Sequence, residues 1–352
     1  MPKTISTKTP RELGYAFPAE WERQRGTWLS WPRPEGISFP DRYHRIGEQL
    51  CEIVRQIAQR QEVHINVPNG NWERIARHEL KKHDVPMRRV TLHHIKTNEA
   101  WCRDHGPAFL TKKNGDVAVV DFGFNAWGGK YPPYDDDDAV PTHAAAALKV
   151  KRVFNTPIIQ EGGAVDFNGR GTILTTTDCL LNKNRNPTLK KPQIEQYLKD
   201  FYGQKNVCWL TGGIAGDDTD GHVDDLARFV SPTKIVFGVE TDEDDENYTV
   251  LRDVREQLDG LRDQDGQPFE IVELPMPKPV VIDGQRCPAT YMNFLFVNDA
   301  LLVPTFGDKK NDKLALSILR KHVDRDVVGV RCDEIIWGLG AIHCLTQQIP
   351  AF

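Results

Sequence analysis

The sequence lacks three features that would assign it to common protein classes. It has no CxxC pair, and its seven cysteines are an odd number at wide spacings, so neither a disulfide framework nor a zinc ribbon is indicated. No apolar run approaches the roughly 18–20 residues of a membrane span. Positive charge is not in excess: 45 Lys and Arg face 50 Asp and Glu, formally −5. This balance argues against a nucleic-acid or anionic-membrane partner.

Neither end of the chain has the pattern of an export signal or a membrane anchor. Residues 1–15 contain no apolar core of the signal-peptide kind. The last 18 residues carry no formal charge, but glycines, a histidine, glutamines and a proline interrupt them. We therefore expect a cytoplasmic protein with reduced cysteines.

Length and composition predict a folded α/β protein. With 352 residues, 39% of them hydrophobic, the chain can bury a large core, and length alone would suggest two domains. Apolar residues at helical spacing predict six helices, at residues 44–60, 72–84, 138–150, 192–203, 247–260 and 313–323. Each of the last three lies between a pair of predicted strands and a single strand, which indicates a repeated ββαβ module.

Metal-ligand patterns are incomplete. His78, Glu79 and His83 have one residue too many for an HExxH motif, and residues 261–272 lack the first and last ligands of an EF-hand loop. We expect no metal and no organic cofactor.

Two segments place acids beside glycine breaks, where a strand end would present them to a cleft. Asp104 stands two residues before the Gly106-Pro107 pair, and Glu161 directly precedes Gly162 and Gly163. Glycines at a strand end allow backbone or ligand to approach closely. Taken alone, each segment is also explained by a surface ion pair or a turn.

A third segment pairs a histidine with an aspartate. If residues 222–230 form a strand, its period of two places His222 and Asp224 on one face, together with Leu226. Such a pair can serve acid–base chemistry, although a purely structural His–Asp pair is the alternative.

A fourth segment holds a cysteine in the uncharged C-terminal stretch. Small residues at 338–341 lead to Cys344, and a buried cysteine can be merely a small apolar side chain. In an extended segment the neighbouring His343 would point to the opposite face. We therefore expect His222, and not His343, to serve Cys344 as its base.

Together the four segments indicate chemistry at a guanidinium group. They supply a thiol, a histidine and at least two carboxylates, and inward carboxylates repel each other unless a cation lies between them. A planar guanidinium fits carboxylates bidentately, and a thiolate can attack its carbon. An amide hydrolase is a weaker alternative, because an acyl intermediate needs oxyanion donors rather than anions.

Five motifs resemble those of the agmatine deiminase and bacterial peptidylarginine deiminase family, which belongs to the guanidino-group-modifying penteins. They are WCRDHGP (101–107), NAWGGKY (125–131), EGG (161–163), GHVDD (221–225) and IHCLTQQIPA (342–351). The likeness spans Tyr15 to Ala351 in family order. It implies an α/β propeller, the pentein fold, with five pseudo-symmetric ββαβ-type modules around a central active site. It also implies one catalytic domain over residues 1–352 in place of two.

The resemblance implies four catalytic residues. Cys344 would be the nucleophile and His222 the general acid and base, while Asp104 and Asp224 would hold the guanidinium nitrogens. Besides these two aspartates, the substrate-binding residues that we predict are Glu161, Trp127 and Asp218. The sequence departs from the usual family pattern at residues 338–341 and 217–220, which leaves the distal half of the substrate open.

The predicted activity is hydrolysis of agmatine to N-carbamoylputrescine and ammonia through a covalent cysteine thiouronium, within putrescine and polyamine biosynthesis. Acids and aromatics dominate the motif segments and could hold the distal ammonium of agmatine. Free arginine would need a donor for its carboxylate, for which Arg103 and Arg185 are available. A peptidylarginine or free-arginine deiminase that forms citrulline stays an alternative, and so does a guanidino-compound-binding protein without activity.

The expected partner is therefore a small cationic guanidine, with neither a nucleic acid nor a membrane. The sequence does not determine the oligomeric state, so a homo-oligomer, such as a dimer, stays open.

Overall fold

The structure of the protein is a computed structural model that describes residues 7–352. The first six residues of the segment examined for an export signal lie outside this range. Within it, no helix has the length and apolarity needed to cross a membrane.

Four modules in the interior of the chain share one plan. In each, the first two strands are antiparallel and the third strand is parallel to the second. Their strands are Ala108–Thr111, Val117–Gly123 and Val153–Ile159; Val165–Phe167, Thr172–Thr176 and Asn206–Leu210; Ala227–Ser231, Lys234–Val239 and Glu270–Pro275; and Leu295–Val297, Ala300–Thr305 and Asp326–Arg331. Because parallel neighbours need a crossover connection, helical segments join the last two strands of each module.

The two ends of the chain build the fifth module together. The C-terminal strand Thr346–Pro350 pairs antiparallel with Gln24–Ser30, which is followed by the parallel strands Glu62–Val67 and Val90–His94. A separate hairpin pairs Val280–Ile282 with Gln285–Cys287. The structure therefore confirms the repeated ββαβ order and extends it to the five modules of the predicted α/β propeller.

The longer helices lie where the apolar spacing predicts them. Helix Tyr43–Ala58 buries Ile46, Leu50 and Ile53 on one stripe. The other helices of eight or more residues are Gly70–Lys82, Val140–Ala147, Lys191–Tyr202, Asn247–Gly260 and Lys309–His322. Shorter α-helical turns span Cys102–His105, Ala126–Gly129, Asp135–Asp138 and Thr177–Leu180, and 3₁₀ turns span Arg11–Leu13, Met87–Arg89, Gly162–Ala164, Val223–Asp225 and Ile335–Gly338.

The sequence pattern predicts strands over residues 222–230 and 289–297, and both predictions are wrong at their beginnings. The segment 222–230 opens with the 3₁₀ turn Val223–Asp225, and its strand starts only at Ala227. The segment 289–297 becomes a strand only at Leu295. In both segments, a turn positions buried polar side chains. A regular strand could not place them in this way, because it would alternate them with apolar neighbours.

Candidate active site

The segments that directly precede the first strand of each module meet at one place. They are Cys102–His105, Gly162–Ala164, Val223–Asp225, residues 290–294 and residues 339–345. Gly163 N donates to Asp104 Oδ1 at 3.0 Å, and Asn293 Nδ2 lies 2.9 Å from Cys344 Sγ. Because the modules repeat, equivalent turns from all five converge, and each contributes at least one polar group.

Asp104 lies on the short helix Cys102–His105 rather than at the predicted strand end. Its Oδ2 accepts a hydrogen bond from Trp127 Nε1 at 3.0 Å. Trp127 reaches it from a left-handed turn, with φ of 54°. Burial, aided by Asp224 and Glu161, raises the pKa of Asp104 to about 6, against the opposing effect of His222. A cation bound beside this carboxyl would therefore lower its pKa and stabilise the ionised form.

The EGG motif allows the close approach that the sequence predicts. A Cβ on Gly163 would lie 2.6 Å from His222 Nδ1 and 2.9 Å from Asp104 Oδ1. A side chain here would therefore displace two of the predicted catalytic groups.

His222 lies between three carboxylates. Its Nε2 is 3.3 Å from Glu161 Oε2, and its Nδ1 is 3.7 Å from Asp104 and 3.9 Å from Asp224. Burial alone would lower the pKa of His222, but Asp104 and Glu161 raise it well above its usual value. Nδ1 is buried and has no hydrogen-bond partner among the described residues, so it is available to a bound ligand.

Glu161 is placed differently from its prediction as a channel residue. It is fully buried behind His222, and its carboxylate accepts from Arg185 Nε at 2.9 Å. Burial would raise the pKa of Glu161, but His222 and Arg185 lower it. Its contacts fit a group that orients His222, because a paired buried carboxylate has no free face for a ligand.

Asp224 shares neither a strand nor a strand face with His222, since both belong to a turn. Its Oδ2 lies 2.7 Å from His343 Nδ1, whereas its Oδ1 is buried without a hydrogen-bond partner among the described residues. Burial would raise the pKa of Asp224, but His343 and His222 lower it. An ionised oxygen therefore remains available for a cationic ligand.

Cys344 lies in a turn, and this corrects the extended segment predicted around it. Leu345 N bonds Ala341 O, and Thr346 N bonds His343 O. Consequently His343 does not face away from the site, as an extended chain would require. Burial raises the pKa of Cys344 well above its usual value, and Asp224 and Asp225 add to the effect. Without a cation beside it, this cysteine is a neutral thiol.

A cavity of about 280 Å³ leads to the sulfur. Asp104 and Cys344 lie at its inner end, and Trp127 and Asp218 are among its lining residues. The remaining lining residues are Ile37, Ser38, Pro40, Trp101, Tyr131, Thr219, Gln285, Trp337, Gly338, Leu339 and Gly340. Aromatic rings dominate the wall, and the described lining includes no Lys or Arg.

Asp218 and Asp104 are connected by two aromatic side chains. Tyr131 Oη donates to the Asp218 carboxylate, Trp127 donates to Asp104, and the two rings lie 5.8 Å apart. Burial raises the pKa of Asp218, and the adjacent Asp217 adds to the effect, against Tyr131. The cavity thus carries a carboxylate at each end of an aromatic wall.

Three residues with a part in the site were missed or misjudged from the sequence. Glu20 bonds His343, Asn293 contacts Cys344, and His343 contacts Asp224. Asn293 offered a signal, since it is a lone amide within the apolar run 289–297. Glu20 offered none, because only the fold brings it across 323 residues to His343.

The arrangement has the parts needed for substitution at a guanidinium carbon. Asp104 and Asp224 can accept N–H groups, Cys344 supplies a nucleophile, and His222 can carry a proton. The same carboxylates would repel the oxyanion of an acyl intermediate.

Known proteins are similar to this chain in sequence and in fold. The chain matches the sequence model of the Porphyromonas-type peptidyl-arginine deiminases over residues 16–350. It is 34% identical to an agmatine deiminase from Pseudomonas aeruginosa, with 98% of each chain covered.

Two solved structures are similar over nearly the full length. The agmatine deiminase of Enterococcus faecalis, described as catalysing its reaction, has a TM-score of 0.92 at 34% identity and covers 99% of both chains. A cysteine-to-serine variant of the C. jejuni agmatine deiminase with substrate bound has a TM-score of 0.86 at 34% identity, covering 95% of this chain and 96% of that one.

Proposed function

This chain belongs to the Porphyromonas-type peptidyl-arginine deiminase family, and we propose that it hydrolyses agmatine to N-carbamoylputrescine and ammonia. One observation carries the choice of substrate. The cavity that ends at Cys344 has an aromatic wall and carboxylates at Asp104 and Asp218, with no cationic side chain among its described lining residues. Such a cavity suits a dication that has a guanidinium at one end and an ammonium at the other.

The guanidinium would lie between Asp104 and Asp224. Asp224 Oδ1 has no hydrogen-bond partner among the described residues, so it can accept an N–H without breaking another bond. Asp104 would share its oxygens between Trp127, Gly163 and the substrate. Two carboxylates keep the guanidinium charged, and its carbon stays electrophilic.

Substrate charge would also activate the nucleophile. Burial and three nearby aspartates raise the pKa of Cys344 in the free protein. A bound guanidinium opposes those charges and favours the thiolate. The thiolate would therefore form where and when the substrate is present.

The reaction would proceed in two halves. The Cys344 thiolate adds to the guanidinium carbon, and the C–N bond breaks as His222 gives its proton to the departing ammonia. An S-alkylthiouronium remains on the sulfur. Water then adds to the same carbon while His222 takes a proton, and the C–S bond breaks to release the ureido product and the cysteine.

The two arginines that could bind the carboxylate of free arginine make other contacts within the protein. Arg185 Nη2 donates to Thr219 O at 2.9 Å, and its guanidinium also pairs with Glu161. Arg103 Nη1 donates to Gln348 Oε1 at 2.6 Å. Lys130 Nζ donates to the backbone oxygen of Asp218 and pairs with Asp220 at 2.8 Å. These contacts favour a substrate without a carboxylate.

The deciding measurement is kcat/KM for agmatine, free arginine and a C-terminal arginyl peptide, read by ammonia release. We expect agmatine to be preferred. A tenfold preference for either arginine substrate, about 1.4 kcal/mol, would assign the citrulline-forming reaction instead. Binding of agmatine with no ammonia released would assign a guanidino-binding protein.

The cellular setting belongs to the same proposal. We propose one catalytic domain over residues 1–352, acting in the cytoplasm on the route to putrescine, without nucleic acid and without a metal or organic cofactor. In support, the net charge is −5, and all seven cysteines are unpaired thiols. A dimer is the simplest assembly to test by light scattering.

A further inference from the structure

His343 is a buried titratable side chain beside the reaction centre to which the proposed mechanism gives no task. It is 1% exposed and immediately precedes Cys344. Its backbone N donates to Asn293 Oδ1 at 2.9 Å, which fixes the start of its side chain. The ring therefore has little freedom to turn towards the cavity.

Both ring nitrogens of His343 face carboxylate oxygens. Nδ1 lies 2.7 Å from Asp224 Oδ2, and Nε2 lies 2.8 Å from Glu20 Oε2. Ionised carboxylates only accept hydrogen bonds, so a ring with protons on both nitrogens satisfies both contacts. His343 therefore bridges the buried carboxyl groups of Asp224 and Glu20.

Glu20 anchors the far end of this bridge. Its Oε1 accepts from Phe296 N at 2.7 Å, and its Oε2 accepts from Arg228 Nη2 at 3.0 Å. Arg103 Nη2 lies 3.6 Å away. Every one of these groups is buried, so the position of Glu20 is set by the protein interior and not by solvent.

We propose that His343 is a positioning residue that holds Asp224 for the guanidinium. By engaging Oδ2, it leaves Oδ1 as the oxygen that can accept from the ligand, and its hydrogen bond favours the ionised carboxylate beside Asp104 and Asp225. Neighbouring like charges would otherwise favour a protonated, neutral Asp224. This proposal rests on the proposed function, because it assigns the ligand of Asp224 as the guanidinium of agmatine.

Two substitutions separate the contact with Asp224 from the contact with Glu20. An asparagine amide can occupy the place of Nδ1 and donate to Asp224, whereas a glutamine amide reaches the place of Nε2 and donates to Glu20. His343→Asn and His343→Gln both remove the ring. The difference between them therefore compares loss of the Asp224 contact with loss of the Glu20 contact, and the Asp224→Asn background isolates the first.

The experiment measures agmatine binding by calorimetry in a Cys344→Ser background, where turnover does not interfere. We expect His343→Gln to weaken binding at least tenfold and His343→Asn to weaken it threefold or less. In a background that also carries Asp224→Asn, His343→Gln should change the Kd less than twofold, because the group it positions is absent. Equal losses for Gln and Asn, or the same loss with Asp224→Asn present, would overturn the proposal.

Controls keep the outcome interpretable. His64→Gln replaces another buried histidine beside a glutamate, 3.4 Å from Glu62, and should leave the Kd unchanged. If thermal unfolding shows that His343→Gln does not fold, Glu20→Gln replaces it, with about threefold weaker binding expected and unchanged binding contradicting the role. Ammonia release by the unmodified protein is measured separately. The absence of ammonia release would refute the proposed function. Normal release, together with agmatine binding that does not depend on His343, would refute only the positioning role.

Discussion

The inner end of the cavity and its mouth are built in different ways. At the inner end, Asp224 and His222 are 0% and 1% exposed, whereas Ile37 at the mouth is 47% exposed. The inner groups are held by turns from all five modules, and the mouth by loops and by the Gln285 hairpin. Buried groups that are held by hydrogen bonds keep a fixed geometry, and exposed loops do not. The inner end should therefore set the chemistry and the mouth the choice of substrate.

The largest effect is expected at the sulfur of Cys344, at the inner end of the cavity. We expect Cys344→Ser to abolish turnover, because a hydroxyl is far less acidic than a thiol and cannot supply the nucleophile. The variant should still fold and bind agmatine, as calorimetry and thermal unfolding would show. Cys332→Ser, at another buried cysteine, is the matched control. Detection by mass spectrometry of a thiouronium adduct on Cys102 or Cys332 would assign the nucleophile to that cysteine instead.

The two groups beside the sulfur come next. His222→Ala and Asp224→Asn should each lower kcat by about 10²–10⁴-fold, the range for loss of acid–base or electrostatic catalysis. Steady-state ammonia release measures the loss. A near-normal rate for His222→Ala would assign the base to another residue, with His105 the next to test.

Asp104 should affect binding more than the chemical step. Because burial raises its pKa to about 6, the carboxyl is protonated below that pH and loses the negative charge that attracts the guanidinium. We expect kcat/KM for agmatine to fall about tenfold per pH unit below about 6 and to level off above it. Asp104→Asn should raise the KM and remove this limb. A KM equal to that of the unmodified protein would contradict the role.

The smallest effect is expected at the mouth. Asp218→Asn should lower kcat/KM for agmatine about fivefold, the size of a partly exposed ion pair of about 1 kcal/mol. For a guanidine without a distal ammonium, such as butylguanidine, Asp218→Asn should leave kcat/KM unchanged. This compound serves as the matched substrate. If Asp218→Asn lowered kcat/KM equally for both substrates, the assignment of substrate choice to the mouth would be wrong.

The helices and the repeated module were predictable because they depend on local spacing. The stripe of Ile46, Leu50 and Ile53 marks a helix face by itself, and the same order of elements recurs downstream. The ends of elements were not predictable where buried polar groups occur. His222 and Asp224 fit a strand pattern, yet a 3₁₀ turn holds them. The alternation rule assumes that a polar residue faces water, which fails in an active site.

The sequence by itself determined the module order, the family resemblance, and the identities of Cys344, His222, Asp104 and Asp224 as the groups to test. Only the tertiary structure decided their partners. Glu20 reaches His343 across 323 residues, and Asp104 reaches Gly163 across 59. It likewise decided that Glu161 lies behind His222. Charge and hydrogen bonding act over a few ångströms in space, and the chain acquires those distances only when its five modules close on one another.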